Sequence, residues 1–520
     1  MFRLIKSFFY AGLICLLMIP LPSKADDTMG TRIKSIMDQP RYAQSHWGIL
    51  VADLDSGGVL YEFSADKLFT PASTTKLFTM AAGLNALGAD YRFKTPIYRR
   101  GAVNKRGELK GDLILVASGD LTLGGRTDAK GRIAFTNMDH TDAGDDGPLA
   151  AELTSQDPLA GVNNLARQVA ASGIKRVRGD VIIDDRLFEK SKSPEGFVRT
   201  PISVNDNVID FVITPTVPGK AALVDWRPQT SFYQVESQVM TVDPKKESQI
   251  EVISGGKNRL IVMGIKAAGQ KPSIRIYHVE DPSSFARALL IEALRGAGVR
   301  VDAPLPGRNP AGKLPDNKEY ASMTRIALLE SPPYSETIKL VLKVSLNPGA
   351  EMTPLIVAAR NGKRTTGEGL ALERAFLEGA GVDVRTISIA DGQGADRSDL
   401  ITPRAAVQLL RGMAARPDYQ AYRDALPILG VDGTLAHSIP PESPARGKVF
   451  AKTGTLVTGD LLNDRGVLTA KGLAGYINAS SGRKLVFAFY VSNVFLSDMN
   501  DVVAVGSDLG KLAETVYLAQ

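Results

Sequence analysis

The chain has 520 residues, of which 44% are hydrophobic and 23% are charged, and its formal net charge is +6. This composition excludes a disordered or fibrous protein and indicates a globular chain of about two to four domains. The basic excess is small and forms no block, so we expect no nucleic-acid partner.

The first 25 residues have the pattern of an export signal. Two basic residues precede an apolar run from Phe8 to Leu21, and Ser23 and Ala25 are the small residues that a signal-peptidase site needs. The run is too short, and too close to this site, to indicate a membrane span. We therefore expect a periplasmic protein that is cleaved after Ala25. The only cysteine, Cys15, is then lost, and the mature chain has no disulfide.

The next elements are a hairpin and an apolar helix. His46–Leu54 and Val59–Phe63 are predicted as two strands joined by a turn at Ser56-Gly57-Gly58. The stretch PASTTKLFT, Pro71–Thr79, then places Ser73 three residues before Lys76 at a helix start. Residues at this spacing share a helix face, so the hydroxyl and the amine can touch. The pair is either a nucleophile with its base or a capping serine followed by an ordinary surface lysine.

The middle of the chain, about 90–328, differs in character. It has short strands, such as Asp112–Val116 and Asp180–Ile183, many glycines and polar loops. We interpret it as a β-rich insertion of two subdomains, and we expect its acidic stretch Asp139–Asp146 to be a solvated loop rather than a cation site. The predicted boundaries are 1–25 for the signal peptide, 26–92 and 326–520 for the two parts of the main domain, and 93–325 for the insertion.

A Ser-x-Asn triplet, Ser345–Asn347, ends a predicted helix that begins after two prolines. Ser345 continues the buried stripe of that helix, and Asn347 with Pro348 is expected to end it. The other Ser-x-Asn match, Ser203–Asn205, lies in a polar loop of the insertion and is the weaker candidate.

The stretch Lys452-Thr453-Gly454-Thr455 is the only Lys-Thr-Gly in the chain. An edge strand at this point could offer a substrate a cation, a hydroxyl and a close backbone, since Gly454 has no side chain to block the approach. It precedes a second hairpin, Gly472–Ala479 with the continuously apolar Lys484–Ser492, and a closing helix over Asp501–Leu518. Helices on an antiparallel sheet built from both chain ends make an α+β fold.

The three motifs occur in the order found in penicillin-binding proteins and class A β-lactamases. The chain resembles the class C low-molecular-mass penicillin-binding proteins, the D-Ala-D-Ala carboxypeptidase/endopeptidase type also called penicillin-binding protein 4. The resemblance implies a penicillin-recognising serine transferase (β-lactamase-like) domain with two domains inserted after the first motif. It is carried by PASTTKLFT, LVASGDLTLGG, SPPYSETIKLVLKVSLN, ADGQGADRSDLITP, LGVDGTL and AKTGTL.

The resemblance also implies catalytic roles. Ser73 would attack the carbonyl between two D-alanines, and Lys76 would accept its proton. Burial and the nearby charge of Lys452 would keep that amine neutral. Ser345 would pass a proton to the leaving amine, and Asn347 would orient Lys76 and the substrate amide.

Binding of the terminal carboxylate is assigned in the same way to Lys452, Thr453 and Thr455. The backbone N–H groups of Ser73 and Thr455 would form the oxyanion hole.

Two positions depart from the family pattern. Leu346 replaces the acid of the usual Ser-Asp-Asn, and we expect activity to survive because the polar functions lie on the outer residues. Gln393 replaces the serine of the usual Asp-Gly-Ser-Gly, and we assign it no role.

The implied partners are peptidoglycan stem peptides as substrates and β-lactams as covalent inhibitors, with no metal and no organic cofactor. Peripheral association with the membrane stays open, as do the oligomeric state and the choice between carboxypeptidase and endopeptidase action. One alternative is a β-lactamase, but no Glu-x-x-Leu-Asn segment supplies its deacylating base. The other is a non-catalytic wall-binding or β-lactam-sensing protein, which Leu346 leaves open.

Overall fold

The computed structural model describes residues 24–142 and 150–520, so the predicted signal peptide lies almost wholly outside the described residues. These ranges contain ten α-helices and 22 β-strands. No helix within them is long and apolar enough to cross a membrane. The helices are α1 (Lys24–Met37), α2 (Lys76–Leu87), α3 (Ala160–Ala171), α4 (Pro282–Gly296), α5 (Tyr334–Lys343), α6 (Asn347–Arg360), α7 (Thr366–Gly379), α8 (Pro403–Ala414), α9 (Tyr419–Asp424) and α10 (Met499–Ala519).

The strands are β1 (His46–Asp53), β2 (Val59–Phe63), β3 (Lys94–Val103), β4 (Glu108–Val116), β5 (Arg176–Val177), β6 (Val181–Asp184), β7 (Ser191–Lys192), β8 (Val198–Arg199), β9 (Val208–Thr214), β10 (Leu223–Arg227), β11 (Gln234–Val242), β12 (Gln249–Ser254), β13 (Arg259–Ala267), β14 (Ser273–His278), β15 (Arg300–Val301), β16 (Thr324–Glu330), β17 (Ile387–Ser388), β18 (Leu400–Ile401), β19 (Val449–Asp460), β20 (Arg465–Asn478), β21 (Lys484–Ser492) and β22 (Val494–Leu496).

The main sheet is antiparallel and joins both ends of the chain, as predicted. Its strand order is β19-β20-β21-β1-β2, and β22 pairs with the outer part of β20. Alternate residues of β1 and β21 enter two separate cores because successive side chains point to opposite faces. Leu50 and Ala488 pack with α2, α5 and α8, whereas Val51 and Phe487 pack with α1 and α10. Strand β21 is therefore covered on both faces, which explains its continuous apolar sequence.

The inserted region has its own hydrophobic core and two parts. One part is a six-stranded sheet of order β15-β5-β4-β3-β16, with β6 beside β4, packed against α3 and α4. The other contains two three-stranded sheets, β10-β9-β14 and β11-β13-β12. Because β16 pairs with β3, the chain leaves the inserted sheet only after Glu330. The expected boundary at 325/326 falls inside this strand.

Candidate active site

The first motif forms a tight turn before α2. Ala72–Thr75 is a 3-10 turn in which Ala72 has a left-handed backbone, with φ of 45°. Ser73 caps no backbone N–H group; instead, its Oγ accepts a 2.7 Å hydrogen bond from Lys76 Nζ. Lys76 is 0% exposed. The alternative of a capping serine followed by a surface lysine is therefore wrong.

The second and third motifs meet the first at Lys76. Its Nζ donates to Asn347 Oδ1 at 2.6 Å and to Ser345 Oγ at 3.1 Å. Lys452 is also fully buried, and its Nζ donates to the same Ser345 hydroxyl at 2.9 Å. Two buried amines thus share one hydroxyl, as a proton relay between them requires.

Ser345 lies in a sharp turn between two helices. Helix α5 ends at Lys343, Ser345 has a left-handed φ of 68°, and α6 begins at Asn347. The prediction that Asn347 and Pro348 end a helix was wrong, because they open the next one. A proline fits the first helical turn, where its missing N–H leaves no hydrogen bond unmade.

Leu346, which replaces the usual acid, points into the core and not into the cleft. Its side chain is fully buried in the cluster around α2 and α5, and its N–H donates to Leu340 O at 3.0 Å. The polar side chains of the triplet, Ser345 and Asn347, keep their contacts with Lys76.

The Lys-Thr-Gly stretch lies on β19, the edge strand of the main sheet. A Cβ added to Gly454 would lie 2.5 Å from Pro71 O, beside the turn that carries Ser73. Glycine is needed here, as predicted, but the backbone that comes close is the protein's own. Thr453 Oγ1 lies 2.7 Å from Thr434 Oγ1, and Thr455 is exposed.

A cavity of about 780 Å³ opens over these residues. Ser73, Ser345, Asn347, Thr453 and Thr455 all line it. The other three predicted residues do not line the cavity. Lys76 and Lys452 are buried beneath it and donate to Ser345, and Gly454 lets its strand pack closely against the Ser73 turn. All eight predicted site residues are thus brought together.

A family model of known proteins matches this chain over nearly its whole length. The model of the D-Ala-D-Ala carboxypeptidase 3 (S13) family matches residues 29–511. The chain belongs to the S13 family. This confirms the predicted resemblance, and the chain is a serine-type D-Ala-D-Ala carboxypeptidase of that family.

Individual related proteins also match most of the chain. The D-alanyl-D-alanine carboxypeptidase of Actinomadura sp. (strain R39) is 28% identical over 448 residues, which are 82% of this chain and 76% of the relative. The carboxypeptidase DacB of Haemophilus influenzae is 24% identical over 473 residues, which are 88% and 87% of the two chains. The crystal structure of penicillin binding protein 4 from Haemophilus influenzae has a TM-score of 0.69 at 21% identity, covering 92% of this chain and 99% of that one. This likeness confirms the predicted penicillin-recognising fold with its β-rich insertion.

The loop that contains Gln393 supports the Ser73 turn. A Cβ on Gly394 would lie 1.9 Å from Ala72 O, and Thr79 Oγ1 donates to Gly392 O at 2.8 Å. Asp391 holds the loop by accepting hydrogen bonds from the N–H groups of Gln393 and Gly394. The backbone of this loop therefore positions the turn that carries Ser73.

The inserted region supplies part of the cleft wall, which the sequence patterns did not predict. Asn137 and Met138 line the cavity, and Asn137 Oδ1 accepts a 2.9 Å hydrogen bond from Gly433 N. Glu195, from the loop between β7 and β8, accepts a 3.4 Å hydrogen bond from Asn347 Nδ2. Lone residues on an insertion carry no sequence signal that would place them at this site.

A buried ionic cluster anchors that wall. His140 donates to Asp210 Oδ1 at 2.5 Å and to Asp206 Oδ2 at 2.9 Å, and Arg126 bridges Asp206 and Asp139. Burial opposes the charged form of His140, but Asp210, Asp139 and the hydrogen bond to Asp206 raise its pKa to about 10. The prediction of a solvated acidic loop was wrong for Asp139, which is 1% exposed. Residues 143–149 of that stretch lie outside the described residues.

Two further cleft residues went unpredicted. Thr434 follows a turn that is held by the ion pair between Lys343 and Asp432, with 2.7 Å between Nζ and Oδ2. Lys471, on β20, donates to Thr455 Oγ1 at 2.8 Å. The stretch LGVDGTL pointed to the Thr434 turn without assigning a role, whereas no local pattern indicated which β20 residue would face Thr455.

Proposed function

We propose that Ser73 is the nucleophile of a periplasmic DD-peptidase and that Lys76 is its general base. The observation that carries this assignment is the 2.7 Å contact between Lys76 Nζ and Ser73 Oγ inside a cleft. A serine hydroxyl becomes a competent nucleophile when a neighbouring base removes its proton. Burial beside the second amine of Lys452 disfavours the ammonium form that could not act as that base.

The first half of the reaction forms an ester. Ser73 Oγ attacks the carbonyl carbon of the penultimate D-alanine while Lys76 Nζ takes the hydroxyl proton. The backbone N–H groups of Ser73 and Thr455 stabilise the oxyanion, a contribution of about 3 kcal/mol for each donor. The C–N bond breaks as Lys76 returns a proton through Ser345 to the leaving nitrogen.

The second half restores the enzyme. Water attacks the ester carbonyl and loses a proton to the same amine, and the peptide carboxylic acid leaves as Ser73 regains its hydrogen. Asn347 holds Lys76 in place through both halves, since its Oδ1 accepts from Lys76 Nζ at 2.6 Å. Apart from the attacking water, the groups that act in these steps all belong to this chain.

The substrates we propose are peptidoglycan stem peptides and cross-links that present D-Ala-D-Ala or an equivalent bond. β-Lactams would acylate Ser73 by the same attack, because they offer a strained amide to the nucleophile. Penicillin binding protein 4 of Haemophilus influenzae, whose fold this chain shares, has been crystallised in complex with a β-lactam. Export is supported by the signal-like pattern that ends at Ala25.

The test combines covalent labelling with turnover. The mature enzyme is incubated with a fluorescent penicillin, and D-alanine release is measured from a pentapeptide ending in D-Ala-D-Ala. We expect Ser73→Ala to abolish both signals. Ser481→Ala, which changes another Ser-x-x-Lys match in an exposed turn, should leave both unchanged.

Two outcomes would overturn the proposal. Persistent covalent labelling of the Ser73→Ala variant would exclude the nucleophile. Labelling of the wild-type chain without release of D-alanine, and without cleavage of purified peptidoglycan, would indicate a β-lactam sensor in place of a peptidase.

A further inference from the structure

Lys471 lies beside the last residue of the third motif. Strands β19 and β20 are antiparallel, and Thr455 and Lys471 are direct cross-strand partners. Such partners project from the same face of a sheet. Lys471 Nζ donates to Thr455 Oγ1 at 2.8 Å, and both residues line the catalytic cavity.

The charge on Lys471 has no internal counterion. Among the described residues, no carboxylate forms an ion pair with its Nζ. Its other close neighbour is Gly506 of α10, where an added Cβ would lie 3.6 Å from Nζ. Burial lowers the pKa of Lys471 to about 8. A half-buried cation without an anion is unfavourable, and a bound anion would relieve the cost.

The cation of the Lys-Thr-Gly motif, Lys452, makes its hydrogen bonds to other groups of the protein. Lys452 Nζ donates to Ser345 Oγ and to Thr453 O, each at 2.9 Å, and is fully buried. Lys471 is the one lysine or arginine among the described residues that line the cavity. A substrate carboxylate that approaches the threonines of β19 from the cleft would therefore meet Lys471 and not Lys452.

We propose that Lys471 is a specificity-determining residue that binds the free carboxylate on the leaving side of the scissile bond, together with Thr455 and Thr453. This inference rests on the proposed function. Once Ser73 attacks the penultimate carbonyl, the leaving residue lies along β19. Its carboxylate is the anion that the reaction brings to this point.

The inference defines a substrate class. The enzyme prefers bonds whose leaving nitrogen is attached to a carbon that also carries a free carboxylate. Terminal D-alanine belongs to this class, and so does a cross-link whose leaving residue keeps its carboxylate at that carbon. A carboxamide, or a leaving amine on a plain methylene group, does not.

The experiment compares two peptides that differ at one group. An N-acylated peptide ending in D-Ala-D-Ala is assayed as the free acid and as the C-terminal carboxamide. We expect Lys471→Met to lower kcat/KM for the acid by about 10- to 100-fold, mostly through a higher KM, because a charge-assisted hydrogen bond is lost. Hydrolysis of the carboxamide should fall far less, because that substrate has no carboxylate to lose, so the acid-to-amide preference should collapse.

Two control variants and one labelling measurement test this interpretation. Lys471→Arg should keep much of the preference, because it keeps the charge. Lys484→Met, an exposed lysine on the neighbouring strand β21, should keep all of it. The rate of labelling by benzylpenicillin relative to its methyl ester should follow the same pattern, which gives a readout that needs no turnover.

An acid-to-amide preference that survives in a folded Lys471→Met variant would overturn the inference while the proposed function stands. Absence of both turnover and labelling in the wild-type enzyme would instead overturn the proposed function, and this inference with it.

Discussion

Lys452 donates a 2.9 Å hydrogen bond to Ser345, a residue 107 positions earlier in the chain. The same hydroxyl accepts a 3.1 Å hydrogen bond from Lys76. Ser345 therefore connects the amine of Lys76, the proposed general base, to the amine of Lys452, which begins the third motif. A hydroxyl can accept and donate in turn, which suits it to pass a proton in either direction.

Ser345→Ala should lower the rate of acylation by fluorescent penicillin by about 10²- to 10³-fold, because proton transfer by a positioned group contributes on that scale. Ser203→Ala, in the other Ser-x-Asn match, should leave the rate unchanged. Acylation of the Ser345→Ala variant at the wild-type rate would show that the proton takes another route.

Leu346→Asp should destabilise the protein even though it restores the usual family triplet. The new carboxylate would be buried in an apolar cluster without a partner, which costs about 3 kcal/mol or more. The midpoint of urea unfolding measures this effect, and Leu346→Met is the volume-conserving control. A variant of unchanged stability would mean that the side chain turns toward the cleft.

His140→Gln should destabilise the protein most below pH 6.5. The pKa of His140 is about 10 in the folded chain and about 6.5 in an unfolded one, so its protonated form favours folding. This stabilisation is complete below pH 6.5 and is lost as the pH rises to about 10, by about 1.4 kcal/mol per pH unit.

The difference in the free energy of unfolding between wild type and His140→Gln should therefore narrow steadily from pH 6.5 to about pH 10 in denaturant titrations. The exposed His46 provides the matched control, and His46→Gln should show a gap near zero at every pH. A constant gap for His140→Gln would contradict the assigned ion pairs.

Glu373→Gln should stabilise the protein at pH 8. Glu373 is buried on α7, its Oε1 has no hydrogen-bond partner among the residues that the structure describes, and burial raises its pKa to about 8. Between about pH 4.5 and pH 8 the unfolded chain ionises this group while the folded chain does not, so wild-type stability falls as the pH rises. The variant should lose that pH dependence.

Glu378→Gln changes an exposed glutamate of the same helix and should alter stability by about 0.5 kcal/mol at most. If Glu373→Gln instead lowers the melting temperature at pH 8, the carboxylate has a partner that stabilises its charged form.

The sequence predicted the catalytic centre better than its surroundings. Ser73 lies next to a helix start and Lys452 lies on a strand, and such local features can be read from local patterns. Ser345 was picked out by its motif, although the helix start beside it was not predicted. The cleft wall could not be predicted, because Asn137 and Glu195 reach the site only through the fold of the insertion.

The position of Lys471 depended on strand pairing. The second hairpin was predicted from Gly472 onward, but β20 begins at Arg465 and β19 extends to Asp460. A register shift after Leu456 then sets which residues face each other. Pairing of this kind depends on the length of a turn and on a bulge, and neither shows in hydrophobic periodicity.

The order of strands in the main sheet also bears on how the enzyme folds. Strand β21, near the C-terminus, lies between β20 and β1 and is the only link between the two halves of the sheet among the described strands. A chain that stopped after Thr455 would contain every residue of the three motifs and still lack the strand that holds them in register. Contacts between such distant segments form late and slowly, so the reactive centre can assemble only when almost the entire polypeptide is available to fold.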